Sequence, residues 1–253
     1  MRSFAVVTLL LLATTAACRK PPAEVGGATP LAEVPAPVVP PTVVAPLPPP
    51  PPAQVERLEV PGDTQASIVR AGPAPLTVFV PGVCSNANAY LQGFPEAARK
   101  QGGVVGIEGD QPCGDQAGFR TFSWDAQKLD VRITKALAAA GVEEIPDGGL
   151  TLVGYSQGAA LGEQLAARWP KKYARLVVIG AATDPSAASF ARTRGVVMMS
   201  CSRDVPARMH DASTRIAKAG VPSTYLEMPG CTHGNLADGE RVFDEAFEFL
   251  RSR

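Results

Sequence analysis

Short apolar runs recur along the chain at Leu76 to Val80, Val104 to Ile107, Leu150 to Val153, Arg175 to Ile179, Val196 to Ser200 and Thr224 to Met228. Most are not broken by alternating polar residues, so they read as strands covered on both faces. Between them the apolar positions switch to helical spacing. Trp124 to Ala140 is predicted to be a helix ended by Gly141, and Ala159 to Trp169 one stopped at Pro170. Val205 to Ala219, ended by Gly220, and Asp238 to Arg251 follow the same rule, with a short helix expected around Ala187 to Arg192. Residues 86 to 101 give a weaker helical pattern, interrupted by Gly93 and Pro95. Val55 to Val60 and Ser67 to Arg70 alternate and read as edge strands joined by the Pro61-Gly62-Asp63 turn. Strands alternating with helices predict an α/β fold: a mostly parallel central sheet with helices on both faces. Chemistry then belongs at the carboxyl ends of the strands, in the loops after Val80, Ile107, Val153, Ile179, Ser200 and Met228.

Composition changes the picture only at the amino terminus. Of 25 prolines in 253 residues, thirteen fall between Pro21 and Pro52. The chain begins with Arg2, an apolar run from Phe4 to Leu12 and small residues from Ala13 to Ala17, the pattern of an export signal over residues 1–17 and too short for a membrane span. Thr15-Ala16-Ala17-Cys18 resembles the lipobox of bacterial lipoproteins, with Thr15 where a large aliphatic residue is usual. The resemblance implies lipidation at Cys18 and, with Arg19 next, an outer-membrane or periplasmic envelope location; an ordinary secretory signal containing a cysteine is the alternative. Residues 18–53 then form an almost uncharged proline-rich linker, on the order of 100 Å if fully extended. Residues 54–253 suffice for one domain, expected to be a monomer. Lys+Arg 24 balances Asp+Glu 24 with no basic cluster, so a nucleic-acid partner has no electrostatic footing.

The chemistry is written most clearly around Gly154-Tyr155-Ser156-Gln157-Gly158. An apolar strand runs into this G-x-S-x-G pentapeptide and an alanine-rich helix leaves it, which is the setting of a nucleophile elbow. Ser156 is the expected nucleophile, exposed above the sheet edge. A base must come from one of two histidines. His233 lies in the loop after the last strand, whereas His210 falls inside a helix, so His233 is the candidate. The acid is expected one strand earlier: Asp204, with Asp184 the main rival and Asp211 a weaker one. Asp184 before Pro185 also suits a helix cap. Oxyanion donors are expected from the backbone amide of Gln157 and from Val83, in the loop after the Leu76 to Val80 strand.

With these residues, about 72 to 251 resemble the α/β-hydrolase superfamily, and most closely its small lidless esterases: the dienelactone hydrolase, acyl-protein thioesterase and cutinase-like enzymes. The resemblance implies that Ser156, Asp204 and His233 act as a catalytic triad on small-molecule esters or thioesters through an acyl-enzyme, with no metal or cofactor. A peptidase or acyltransferase on the same fold, or a catalytically silent envelope-binding module, are the competing functions. Of five cysteines, the four beyond Cys18 are an even number in an exported chain. The strand map places Cys84 and Cys113 in loops after neighbouring strands, and Cys201 and Cys231 likewise, so these pairs are the expected disulfides. Without close Cys-x-x-Cys spacing a zinc site is not expected.

Overall fold

The computed structural model describes residues 50–72 and 74–253. The expected export signal, Cys18 and most of the proline-rich linker lie outside them. The last linker residue, Ala53, already belongs to the fold: its N–H donates to the Glu96 carboxylate at 2.8 Å.

Strands β1 (Val55–Leu58) and β2 (Ala66–Arg70) pair antiparallel, but only β1 is the edge strand expected: β2 is paired on both sides, with β1 and the strand Gly103–Gly106, and is buried from Ala66 to Val69. β3 (Thr77–Val80) leads into two short helices, α1 (Ala87–Leu91) and α2 (Pro95–Lys100). The interruption at Gly93 and Pro95 is thus a full break. A Cβ at Gly93 would meet Leu236 and the Tyr90 carbonyl at 3.2 Å, and Pro95 supplies the first helical position of α2, where its missing N–H costs nothing. β4 (Gly103–Gly106) follows, then a small antiparallel hairpin of β5 (Gln111–Pro112) and β6 (Arg120–Thr121) that the sequence pattern did not announce. Helix α3 (Ala126–Ala139) is capped by the Asp125 side chain on the Lys128 N–H. The chain continues through β7 (Leu150–Tyr155), α4 (Gln157–Arg168), β8 (Tyr173–Ile179), a 3-10 turn at Ala187–Phe190, β9 (Gly195–Cys201), α5 (Pro206–Lys218), β10 (Ser223–Met228) and α6 (Gly239–Arg251).

The main sheet has the order β1-β2-β4-β3-β7-β8-β9-β10. Only the β1–β2 and β2–β4 pairs are antiparallel. β3 and β7 lie side by side at the sheet's centre, with β4 flanking β3 on one side and β8 flanking β7 on the other. The winding therefore reverses at β3, and the crevice outside the carboxyl ends of β3 and β7 is where such a sheet takes a ligand.

Two apolar layers hold the helices on. Leu129, Ile133 and Leu137 of α3, Leu161 and Leu165 of α4, and Met209 and Ile216 of α5 pack on one face with Val78, Val80 and Leu152. On the other, Leu91, Phe94 and Ala97 meet Val242, Phe243 and Phe247 of α6 over Phe79, Val153 and Val177. Successive strand residues point into opposite layers, and both layers are buried. That is why the strand runs are continuously apolar rather than alternating.

Candidate active site

Ser156 occupies the turn between β7 and α4 with φ 53° and ψ −109°, the left-handed region that L side chains avoid. The turn is held by the bond from the Ser156 N–H to the Ile179 carbonyl, 2.9 Å, and by Ala159 and Ala160 N–H donating to the Ser156 carbonyl. Its two glycines are required by contact. A Cβ at Gly154 would lie 2.4 Å from the Gly158 carbonyl, and one at Gly158 only 2.0 Å from the Val80 carbonyl. The start of α4 can therefore pass against the ends of β7 and β3 only without side chains there. Contrary to the exposed position expected, Ser156 is 9% exposed. Gly82 covers it: a Cβ at 82 would stand 3.1 Å from the Ser156 Cβ, so the loop carrying Val83 runs directly over the serine.

His233 Nε2 lies 2.9 Å from Ser156 Oγ, and His233 Nδ1 lies 2.8 Å from Asp204 Oδ2. The three groups come from the loops after β7, β9 and β10 and form one hydrogen-bonded line. With Nδ1 protonated toward the carboxylate, Nε2 is left as the acceptor for the serine O–H. The Asp204 side chain is 10% exposed and the His233 side chain 46%, so the carboxylate is shielded while the imidazole faces the site opening. The rivals lie elsewhere. Asp184 pairs with Arg215 at 2.5 Å and is not a cap, for the cap position of the 3-10 turn is Ser186 and no side chain caps that turn. His210 and Asp211 are exposed on α5, with the His210 ring edge-on to Tyr225.

At this point similarity in sequence adds nothing, for no family model matches the chain and no curated protein matches it significantly. Similarity in structure is extensive. A fluorophosphonate-binding serine hydrolase of Staphylococcus aureus superposes with a TM-score of 0.57 at 10% identity, over 79% of this chain and 99% of that one. A CIB-like hydrolase of Thermoplasma acidophilum gives 0.57 at 16% identity, over 79% and 99%. An esterase of Pyrobaculum calidifontis gives 0.56 at 16%, over 80% and 86%. The fold is the α/β-hydrolase fold.

Around its elbow, this α/β-hydrolase sheet carries several supports that the sequence did not reveal. Gly180, at the end of β8, has φ 50°, and a Cβ there would stand 2.8 Å from Asp204 Oδ2 and 3.3 Å from the His233 ring. It clears the space in which the Asp204 carboxylate and the His233 imidazole meet. Tyr155 and Tyr90 hold the loop after His233: the Tyr155 hydroxyl accepts from the Gly234 N–H at 2.7 Å, and the Tyr90 hydroxyl donates to the Gly234 carbonyl at 2.8 Å. Burial pushes the Tyr155 hydroxyl up to about 12, against the opposing pull of the Gly234 N–H. The phenol therefore stays protonated well above neutral pH, and this anchor does not titrate away.

The two candidate oxyanion donors are both tied to the β5–β6 hairpin. Cys84, beside Val83 and itself at φ 50°, is joined to Cys113, and Ser85 exchanges two 3.0 Å backbone bonds with Arg120. On the other side the Gln157 side chain accepts from Thr121 Oγ1 and the Phe122 N–H and donates to the Phe122 carbonyl. Neither the Val83 nor the Gln157 amide donates to another acceptor among the described residues. Behind α1, Glu108 is buried and accepts from the Ala87 and Asn88 N–H groups; burial raises its pKa, partly offset by those two bonds. Among the described residues no group of three or more His, Cys, Asp or Glu stands close enough to hold a metal ion.

The second disulfide joins Cys201 to Cys231, with α-carbons 5.0 Å apart. Cys201 ends β9 three residues before Asp204, and Cys231 is two before His233. The Arg203 N–H donates to the Cys231 carbonyl and the Ser202 N–H to the Met228 carbonyl, closing the same two loops. A bridge across about thirty residues contributes roughly 3 to 4 kcal/mol by the chain-entropy estimate. Replacing both cysteines with alanine is expected to lower ester turnover several-fold at temperatures where circular dichroism still reports a folded protein, because the imidazole can then drift from its carboxylate. Unchanged turnover in the folded variant would refute the bracing role.

Proposed function

We propose that the protein is a serine hydrolase that cleaves carboxylic esters or thioesters through an acyl-enzyme. Ser156 Oγ attacks the acyl carbon while His233 Nε2 takes its proton. The tetrahedral oxyanion is received by the Val83 and Gln157 amides, and His233 returns the proton to the departing alcohol or thiol. Asp204 fixes the imidazole and stabilises its protonated form. Water, activated by His233, then releases the acid. The observation that carries this reading is the unbroken Ser156, His233, Asp204 line at 2.9 and 2.8 Å, set where the sheet's winding reverses. The names of the structural neighbours, serine hydrolases and esterases, support the same class of reaction. The assembled line also argues against a silent binding module, which needs no such alignment.

A fluorophosphonate probe tests the proposal. The folded protein is expected to form one covalent adduct, mapped to Ser156 by peptide mass spectrometry; failure of the folded protein to label would overturn it. The amino-terminal pattern supports an exported protein anchored in the cell envelope by lipid on Cys18. Cys18→Ser is then expected to move the protein from the detergent to the aqueous phase, since acyl chains contribute about 0.8 kcal/mol per buried methylene. An aqueous parent protein would refute the anchor.

A further inference from the structure

Beside the candidate triad, a cleft of about 430 Å³ opens between α1 and the loop after His233. Its walls are Val83 and Phe119 on the hairpin side, Ala89 and Tyr90 on α1, and Leu236 beyond His233. No charged side chain lines it among the described residues. Its polar side chains are each engaged at least once within the protein. Ser85 Oγ donates to the Gly82 carbonyl, Asn86 donates to the Gly118 carbonyl and accepts from the Ala89 N–H, Asn235 donates to Thr232 Oγ1, and the Tyr90 hydroxyl donates to the Gly234 carbonyl. A guest here meets more apolar than polar surface and no charged side chain. Such a volume accommodates a short chain or a single ring rather than a polymer segment.

We propose that this cleft receives the acyl portion of an uncharged, apolar ester or thioester of short to medium length, and that Ala89 and Leu236 set that length. The proposal rests on the serine-hydrolase reading above. The acyl side is assigned for a kinetic reason. The acyl group stays bonded to Ser156 through deacylation and gains from an apolar wall throughout, whereas the alcohol must leave, and the half-exposed imidazole faces solvent. Val83 on one rim and Gly234 on the other bring the cleft to both the candidate oxyanion loop and the base. Ala89 controls the room because it is small and lies on the exposed face of α1, held by its backbone N–H to Asn86. A phenylalanine there would project into the cleft without displacing any core group. Leu236 closes the opposite wall, against Gly93.

The test is a series of p-nitrophenyl esters from acetate to dodecanoate, run beside a series of acetate esters of lengthening alcohols. In the parent, kcat/KM is expected to rise by up to about fourfold per acyl methylene, the equivalent of about 0.8 kcal/mol, until the cleft is full. Ala89→Phe is expected to lower the hexanoate-to-acetate ratio of kcat/KM by tenfold or more, and Leu236→Ala to shift the preferred acyl chain longer. The proposal is overturned if the ratio in Ala89→Phe equals the parent's. It is equally overturned if the variant's effect follows the alcohol chain, or if a succinate half-ester outpaces its neutral counterpart. Fluorophosphonate labelling of Ser156 in each protein separates the two readings. Labelling with an unmoved ratio refutes only the cleft assignment, while no labelling and no turnover of any ester refutes the hydrolase and the cleft with it.

Discussion

Ser156→Ala is expected to cut ester turnover by about four to six orders of magnitude while leaving the melting curve within about a degree of the parent's. The size follows from the role: with no hydroxyl there is no acyl-enzyme, and what remains is the catalysis that binding and the oxyanion amides alone supply. The harmlessness to the fold follows from the geometry. The bonds that hold the turn are made by the Ser156 N–H and carbonyl, and its side chain caps nothing in α4. Alanine suffers the positive φ no more than serine does. Steady-state kinetics and a thermal scan on one preparation decide it. Activity within tenfold of the parent would end the case for Ser156 as nucleophile, and an unfolded variant would show that the turn needs the hydroxyl.

Gly158→Ala should do the reverse, striking the fold first and activity through it. The added methyl would sit 2.0 Å from the Val80 carbonyl and 2.6 Å from that of Pro81, both backbone atoms of the central strand and its exit. Neither can swing aside as a side chain would, so the start of α4 must back away from β3 and carry the Gln157 amide and Ser156 with it. A loss of about 3 kcal/mol or more is expected, toward the upper end for overpacking, together with at least a hundredfold loss of turnover from the misplaced nucleophile. Gly148→Ala is the control, because a Cβ there meets nothing within 4 Å and should change stability by less than about 0.5 kcal/mol. Equal denaturation midpoints for the two variants would refute the contact argument.

The elbow and its two partners were legible in the sequence because each is specified locally or by elimination. Strand, glycine, serine, glycine and helix stand next to one another at 150–168, and only two histidines compete for the base. The placement of Asp204 beside His233 followed from strand order, which the apolar runs define. What was not legible depends on distant parts of the chain. The two-residue strands of the hairpin are too short to show a period, and they exist because Gly109 lets the chain pass Thr121, where a Cβ would be 2.3 Å from its carbonyl. Gly180 looks like any strand-ending glycine until Asp204 and His233 are brought against it. Tyr155 reads as one more apolar residue of β7, yet its hydroxyl reaches across to the loop after His233. The shielding of Ser156 by Gly82 likewise needs the β3–β7 pairing before it can be seen.

The two disulfides divide the site between them. One fixes the loop beside Val83 to the hairpin that also grips Gln157; the other fixes the loop of Asp204 to that of His233. Neither brace exists until an oxidant has acted on four thiols, so the reduced chain lacks both the ties at its site and the roughly 3 to 4 kcal/mol that each contributes by the chain-entropy estimate. In a glutathione-rich compartment the chain would therefore be less stable and its site less firmly held, and oxidation would supply both. Material made in a reducing cytoplasm should therefore be assayed only after its thiols have been counted, because a weak specific activity there would describe the redox history of the sample rather than the chemistry of the site.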